Sequence, residues 1–111
     1  MKTWVTQLRK GLLEFCVLNV LRPDEAYGYE IVTRLKAIPE MTVSESTVYP
    51  ILSRLRADGF LKVRMQPSPS GPPRRYFSLT ALGKRRVNSM NSYWDSLTTT
   101  INEIRNHEAT S

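Results

Sequence analysis

SESTVYPILSRLRADGF, residues Ser44 to Phe60, is the stretch that decides the fold. Val48, Ile51, Leu52 and Leu55 recur at i, i+3, i+4 and i+7, the spacing that gathers side chains on one face of a helix. The opposite face carries Ser46, Pro50, Ser53 and Ala57, flanked by Thr47, Tyr49, Arg54 and Arg56. Ser44, Ser46 and Thr47 can each cap a helix, since a side-chain oxygen accepts from the unpaired amides of the first turn. Pro50 has no N–H and fits most cheaply in that first turn, which favours a cap near Ser46 or Thr47. Asp58-Gly59 stops the helix, with Gly59 free to turn left-handed. No acid stands between Thr47 and Ala57. A small, hydroxylated, basic face of this kind suits a polyanion better than a protein partner. The plain alternative is a solvated amphipathic helix.

The charge around this helix is uneven. The 111 residues carry a net charge of +6, which points to nucleic acid or another anionic surface. Between Asp58 and Asp95 there is no acid at all, while Lys62, Arg64, Arg74, Arg75, Lys84, Arg85 and Arg86 lie there. The excess positive charge therefore follows directly on the Ser44–Phe60 helix. The length allows a single domain with a modest core. Cys16 is the only cysteine, so no intrachain disulfide can form, and a cytoplasmic chain is expected. No apolar run reaches the ~20 residues that span a membrane, and MKTWVTQLRK lacks the features of a signal peptide.

Upstream, Thr3 to Leu21 reads as a helix with two apolar stripes. Trp4, Leu8, Leu12 and Phe15 form one; Leu13, Val17, Val20 and Leu21 form the other. A helix apolar on two sides is packed on two sides, so one stripe is available to a second subunit. Arg22-Pro23-Asp24 ends it. Tyr27 to Lys36 is a shorter helix with Ile31, Val32 and Leu35 inward, closed by Pro39. Two short helices, the second with a polar basic face, form a helix-turn-helix.

Downstream, Leu61, Val63 and Met65 alternate with Lys62 and Arg64, the period of a strand. Gln66 to Pro73 (QPSPSGPP) holds four prolines and a glycine and reads as a turn or mobile loop. Arg74 to Leu79 is a second strand, with Phe77 and Leu79 to one side. The pair forms a hairpin whose far end carries Arg74 and Arg75, so the whole reads as a winged helix-turn-helix. Its wing would meet phosphate while the helix enters the major groove.

Thr80 caps a last helix running to about Asn106. Val87, Met90, Trp94, Leu97, Ile101 and Ile104 step by three and four, a heptad seam. A seam placed after a complete domain has little core left to cover, which points to a second copy of the chain. The alternative is packing on the first helix of the same chain. The expected interface is Trp4, Leu8, Val87, Met90, Trp94, Leu97, Ile101 and Ile104. The fold class is thus mainly α with a small β-hairpin. Residues 1–79 are a winged helix-turn-helix DNA-binding domain, whose first helix also contributes to the dimer, and residues 80–111 a dimerisation helix. With one histidine, one cysteine, no glycine-rich phosphate loop and scattered acids, neither a metal site nor catalytic machinery assembles. No enzyme and no cofactor are expected.

YGYEI at Tyr27–Ile31, STVYPILSRLRADGF at Ser46–Phe60, RRYFSLTALG at Arg74–Gly83 and the terminal helix together resemble the PadR-type transcriptional regulators, in their short form with one last helix. Thr47 to Leu55 fits the pattern T-x-Y-P-x-L-x-R-L. Ser46 departs from the usual Gly or Ala, Arg56 from the usual Glu, and PSPSGPP is richer in proline than the usual wing.

The resemblance implies a homodimeric repressor that exchanges its last helix with its partner and binds a pseudo-palindromic operator in double-stranded DNA. Carried over by position, the DNA-facing residues are Ser46, Thr47, Tyr49, Pro50, Ser53 and Arg54, with Arg74 and Arg75 on the wing. Tyr49 has two roles open to it, packing on the wing or touching phosphate; Tyr27 and Tyr29 support the helix pair. Some short members stack a flat hydrophobic effector on a tryptophan of the last helix, in a pore at the dimer interface. Trp94 stands at that place, with Leu8, Phe15 and Asn19 able to face it. The alternative is that Trp94 fills the dimer core and Phe15 closes the pore. From a different class, a winged-helix module that only assembles proteins would use the same basic segment on an acidic partner.

Overall fold

The computed structural model describes residues 1–108. Its elements in order are α1 (Lys2–Val20), β1 (Ala26–Tyr27), α2 (Gly28–Lys36), α3 (Glu45–Ala57), β2 (Leu61–Ser68), β3 (Gly71–Leu79) and α4 (Ala81–Asn106). The three strands form an antiparallel sheet in the order β1-β3-β2. The result is a winged helix with a long helix added at its end.

The apolar periodicities meet in one core. Val48, Leu52 and Leu55 of α3 are buried with Ile31, Val32 and Leu35 of α2. Leu13, Val17, Leu18 and Leu21 of the first helical segment join them, as do Leu61, Phe77 and Leu79 of the sheet. The stripe of α1 that holds Trp4 and Leu8 stays outside, with these two side chains 59% and 44% exposed. Only the N-terminal half of that stripe is free within the chain, since Phe15 at its other end meets Trp94 of the last helix. Leu18, fully buried, belonged to neither stripe.

Three local expectations are corrected. The cap of α3 is Ser44, two residues ahead of the position that Pro50 favoured. Its carbonyl accepts from the amides of Thr47 and Val48 at 3.1 and 3.0 Å. Pro50 consequently sits in the second turn and leaves the Ser46 carbonyl without its usual donor. Ser46 and Pro50 are both exposed, so water can serve that carbonyl and the proline is tolerated.

The segment QPSPSGPP is not a loop. β2 runs to Ser68 and β3 starts at Gly71, with Ser68 opposite Gly71 and a register shift between Gln66 and Ser68. Pro67 falls at that shift, Pro69 in the two-residue turn, and Pro72 and Pro73 at the start of β3. Proline forbids donating to a ladder but not an extended backbone, and these sites need no donor. The third correction follows from the second. Arg75 lies opposite Met65 and Arg74 opposite Gln66, partway along β3 and not at the tip of the wing. β1 was also unforeseen: Ala26 and Tyr27 pair with Phe77 and Tyr76, so α2 begins one residue later, at Gly28.

Asp58 and Gly59 end α3 as expected, Gly59 with φ of 85°. The next chain reversal fixes the start of α4. Thr80 Oγ1 donates to the Gly59 carbonyl at 2.6 Å and accepts from the Gly83 amide at 3.0 Å. The Thr80 amide donates to the Phe60 carbonyl at 3.1 Å. Gly83 presses against this turn so closely that a Cβ there would stand 2.0 Å from the Phe60 carbonyl oxygen. Val87 is closed off inside its own domain and Met90 still packs on the core; beyond Met90 α4 leaves it. Ile101 is 42% and Ile104 70% exposed. The projecting helix gives a radius of gyration of 16.8 Å, against about 13 Å for a compact chain of this size. No helix among the described residues is long and apolar enough to cross a membrane.

Candidate nucleic-acid interface

Buried Val48, Leu52 and Leu55 anchor α3 on the core and turn Ser46, Pro50 and Ser53 outward, all exposed. Hydroxyls crowd the entrance of the helix. Ser44 Oγ lies 2.8 Å from Ser46 Oγ and 3.1 Å from Thr47 Oγ1. None of these hydroxyls caps an amide, so the positive end of the helix has no side-chain cap, and of its first-turn amides only that of Thr47 is taken up, by the Ser44 carbonyl.

The two flanks of α3 differ. On one, Thr47 borders a hollow lined by Thr6, Arg9 and Lys10 of α1, and Arg54 donates to Glu14 at 2.9 Å. On the other, Tyr49 lies against Gly28 at the start of α2. A Cβ on Gly28 would stand 2.7 Å from Tyr49 Cε1. Tyr49 also borders an open groove of about 730 Å³ between α3 and the hairpin, shared with Tyr27, Tyr29, Ser53, Arg74 and Arg75. Partial burial pushes the Tyr49 hydroxyl above its usual pKa, helped by the negative charge of Glu45. It stays a neutral donor at any physiological pH. Gly28→Ala tests this packing. It should force Tyr49 out of its place and weaken DNA retention several-fold, while the melting temperature moves only a few degrees, because the obstacle is the edge of a mobile ring.

The cations of the wing are held by the rings of the sheet. The Arg74 guanidinium lies 4.6 Å from the centre of the Tyr27 ring and Arg64 lies 5.0 Å from that of Tyr76. Arg64 is also bridged to Glu25 at 2.5 Å, and that bond raises its pKa further. Arg64 is thus neutralised within the chain. Arg74 keeps its charge on an aromatic platform, and Arg75 is exposed with no carboxylate or ring partner among the described residues.

Seven of the eight expected DNA-facing residues thus gather around α3 and the groove beside it. Ser46, Thr47, Pro50 and Ser53 lie on the helix surface, with Tyr49, Arg74 and Arg75 at the groove. Arg54 stands apart on the α1 flank, 55% exposed at its side chain although bound to Glu14. Glu14, Arg9, Lys10 and Gly28 were not foreseen. Glu14 is the one acid in α1 and Arg9-Lys10 the cation pair in its polar half, so a charge map of that helix would have drawn attention to them.

The second cluster of expected residues lies on α1 and α4. Phe15 and Trp94 stack with ring centres 5.5 Å apart and planes 40° apart. They border an open hollow of about 340 Å³ with Leu12, Met90 and Tyr93. Asn19 does not line it. Its Oδ1 accepts from Asn91 Nδ2 at 2.8 Å and its own amide donates to the Phe15 carbonyl at 2.9 Å. Leu8 also lies outside this lining. Among the described residues no three His, Cys, Asp or Glu side chains gather for a metal.

Residues 17–89 match the transcriptional regulator PadR-like family. The fold is similar to a PadR-like transcriptional regulator from Bacillus cereus, 32% identical, with a TM-score of 0.83 over 92% of this chain and 99% of that one. A transcriptional regulator from Streptococcus is 42% identical, with a TM-score of 0.78 over 90% and 98% of the two chains. Bacillus subtilis PadR, solved in complex with operator DNA, is 26% identical, with a TM-score of 0.67 over 71% of this chain and 46% of that one. A matched segment that runs from α1 to the first turns of α4, and relatives that share the whole architecture, leave one assignment: the chain belongs to the PadR-like family of transcriptional regulators, DNA-binding proteins and not enzymes.

Proposed function

We propose that the protein is a homodimeric repressor that sets α3 of each copy into successive major grooves of a pseudo-palindromic operator. The observation that carries this is the acid-free outer face of α3, Ser46, Pro50 and Ser53, beside a groove edged by Arg74 and Arg75. Ser46, Thr47, Pro50 and Ser53 meet the bases and sugars, and Tyr49, Arg74 and Arg75, which share the groove, meet phosphate. Arg54 joins from the flank with the guanidinium nitrogens that Glu14 does not hold. Operator binding requires the cytoplasm, where the chromosome is.

Residues 1–79 act as the DNA-binding domain and α4, Ala81–Asn106, as the dimerisation helix; the last three residues of the expected 80–111 segment lie outside the described residues. Trp4, Leu8, Trp94, Ile101 and Ile104 are exposed in the single chain, an apolar surface that a second copy would cover. Met90 and Leu97, half-buried, continue it. A small flat hydrophobic effector would enter between the copies and stack on Phe15 and Trp94, with Leu8 and Asn19 at its margin; the tilted ring pair and the hollow beside it support this.

Footprinting on the DNA upstream of its own gene tests binding, symmetry and spacing together. Salt dependence tests the wing. Four phosphate contacts, two arginines from each copy, give a slope of about −3.6 in log affinity against log salt, or roughly a hundredfold loss between about 50 and 200 mM. A change of less than about threefold over that range would remove Arg74 and Arg75 from the interface.

A further inference from the structure

Glu14 is the only acid on α1. It stands beside cations in a chain whose proposed partner is a polyanion, where a negative charge lowers affinity for DNA. Its two carboxylate oxygens are divided between two helices. Oε1 accepts from Arg54 Nη2 of α3 at 2.9 Å and Oε2 from Arg86 Nη2 of α4 at 3.0 Å. The Glu14 side chain is 21% exposed, against 55% for Arg54 and 41% for Arg86. Arg86 in turn lies 4.4 Å from the centre of the Phe60 ring, at the turn that follows α3. Ion pairs this exposed add little to stability. A carboxylate held at both oxygens nevertheless fixes an orientation, and each arginine spends only part of its five-donor fork on it.

We infer that Glu14 is a positioning residue for DNA recognition: by holding Arg54 with one oxygen and Arg86 with the other, it sets the angle between α3 and α4. In a dimer joined through α4, that angle determines how far apart the two α3 helices stand. The inference rests on the DNA-binding homodimer proposed above. Phe15, the next residue, stacks on Trp94, so α1 is fastened to α4 at two neighbouring levels. One base-pair step is about 3.4 Å along the duplex, so a dimer with a fixed angle accepts one half-site spacing and rejects its neighbours. A dimer with a loosened angle accepts several.

The experiment uses the full chain as a dimer, at one salt concentration. Affinities are measured for the operator that the natural protein selects from a random duplex pool, and for versions with the half-sites one base pair closer or farther. The natural protein should lose roughly tenfold or more on each shifted duplex. Glu14→Ala and Arg86→Gln should each shrink that penalty to about threefold or less, and Arg86→Lys, which still offers Glu14 a cation, should restore it. Affinity for a single half-site should rise in Glu14→Ala, which loses a negative charge, and fall slightly in Arg86→Gln. If Glu14→Ala does not form a folded dimer, Arg86→Gln decides alone, since Arg86 is exposed and meets only Glu14 and the face of the half-buried Phe60 ring. A spacing penalty as steep in the variants as in the natural protein overturns the inference, whatever happens to the melting temperature. Failure of the natural protein to select any operator would instead overturn the DNA-binding proposal itself.

Discussion

Gly83→Ala should cost at least ~3 kcal/mol, a large part of the ~5–15 kcal/mol that holds a domain of this size together. The added methyl would stand 2.0 Å from the Phe60 carbonyl oxygen and 3.0 Å from its carbon. Both are backbone atoms and cannot rotate away, unlike the Tyr49 ring that faces Gly28. The same carbonyl accepts from the Thr80 amide, and Thr80 caps α4, so moving the helix aside would break the cap as well. A fall in melting temperature of about 12 °C or more is expected. Gly71→Ala is the control: nothing lies within 4 Å of a Cβ there, and its φ is not positive. It should change the melting temperature by no more than a few degrees. A Gly83→Ala protein as stable as Gly71→Ala would mean that α4 does not rest on the α3–β2 turn as described.

Replacing both Arg74 and Arg75 by Ala should weaken operator binding by about two orders of magnitude at moderate salt and remove some three to four units of the salt slope, because the proposed dimer would lose four phosphate contacts. The fold should be unharmed, since both side chains are exposed and the ladder opposite Gln66 and Met65 is made by backbone. Arg74→Ala alone should cost more than Arg75→Ala. The Tyr27 ring holds the Arg74 guanidinium in place, so less side-chain freedom is lost when it meets phosphate. Unchanged DNA retention together with loss of an acidic protein partner would favour the assembly module over the repressor.

What could be read from the chain was whatever depends on local periodicity. Val48, Leu52 and Leu55 revealed the buried side of α3, and thereby its outer face, because helical spacing and burial are the same fact. Thr80 revealed the start of α4 because capping involves only the next three residues. What escaped depends on residues far apart in the chain. β1 is two residues long and exists only because Phe77 and Tyr76 lie beside it. The Arg54–Glu14 pair spans 40 positions, so nothing near Arg54 announced that its charge was already shared. The hairpin was misread for another reason: proline was weighed as a breaker of strands when its effect is confined to the missing N–H. That error carried Arg74 and Arg75 to the tip. The residues expected to face DNA still lie mostly together around α3 and its groove, because they follow from position in a motif and not from distance to a turn.

The placement of those prolines matters wherever many copies of the chain are crowded together. β2 is an edge strand, and β1 covers β3 only at Tyr76 and Phe77, so the outer half of the wing has two bare margins. Bare margins recruit further strands and grow into aggregates. Pro67 in β2 and the adjacent Pro72 and Pro73 in β3 leave three positions of this stretch with no N–H to donate, and because successive residues of a strand point to opposite sides, one of the β3 pair lies on its bare margin. The outer half of the wing is therefore a poor template for a further strand from a neighbouring copy.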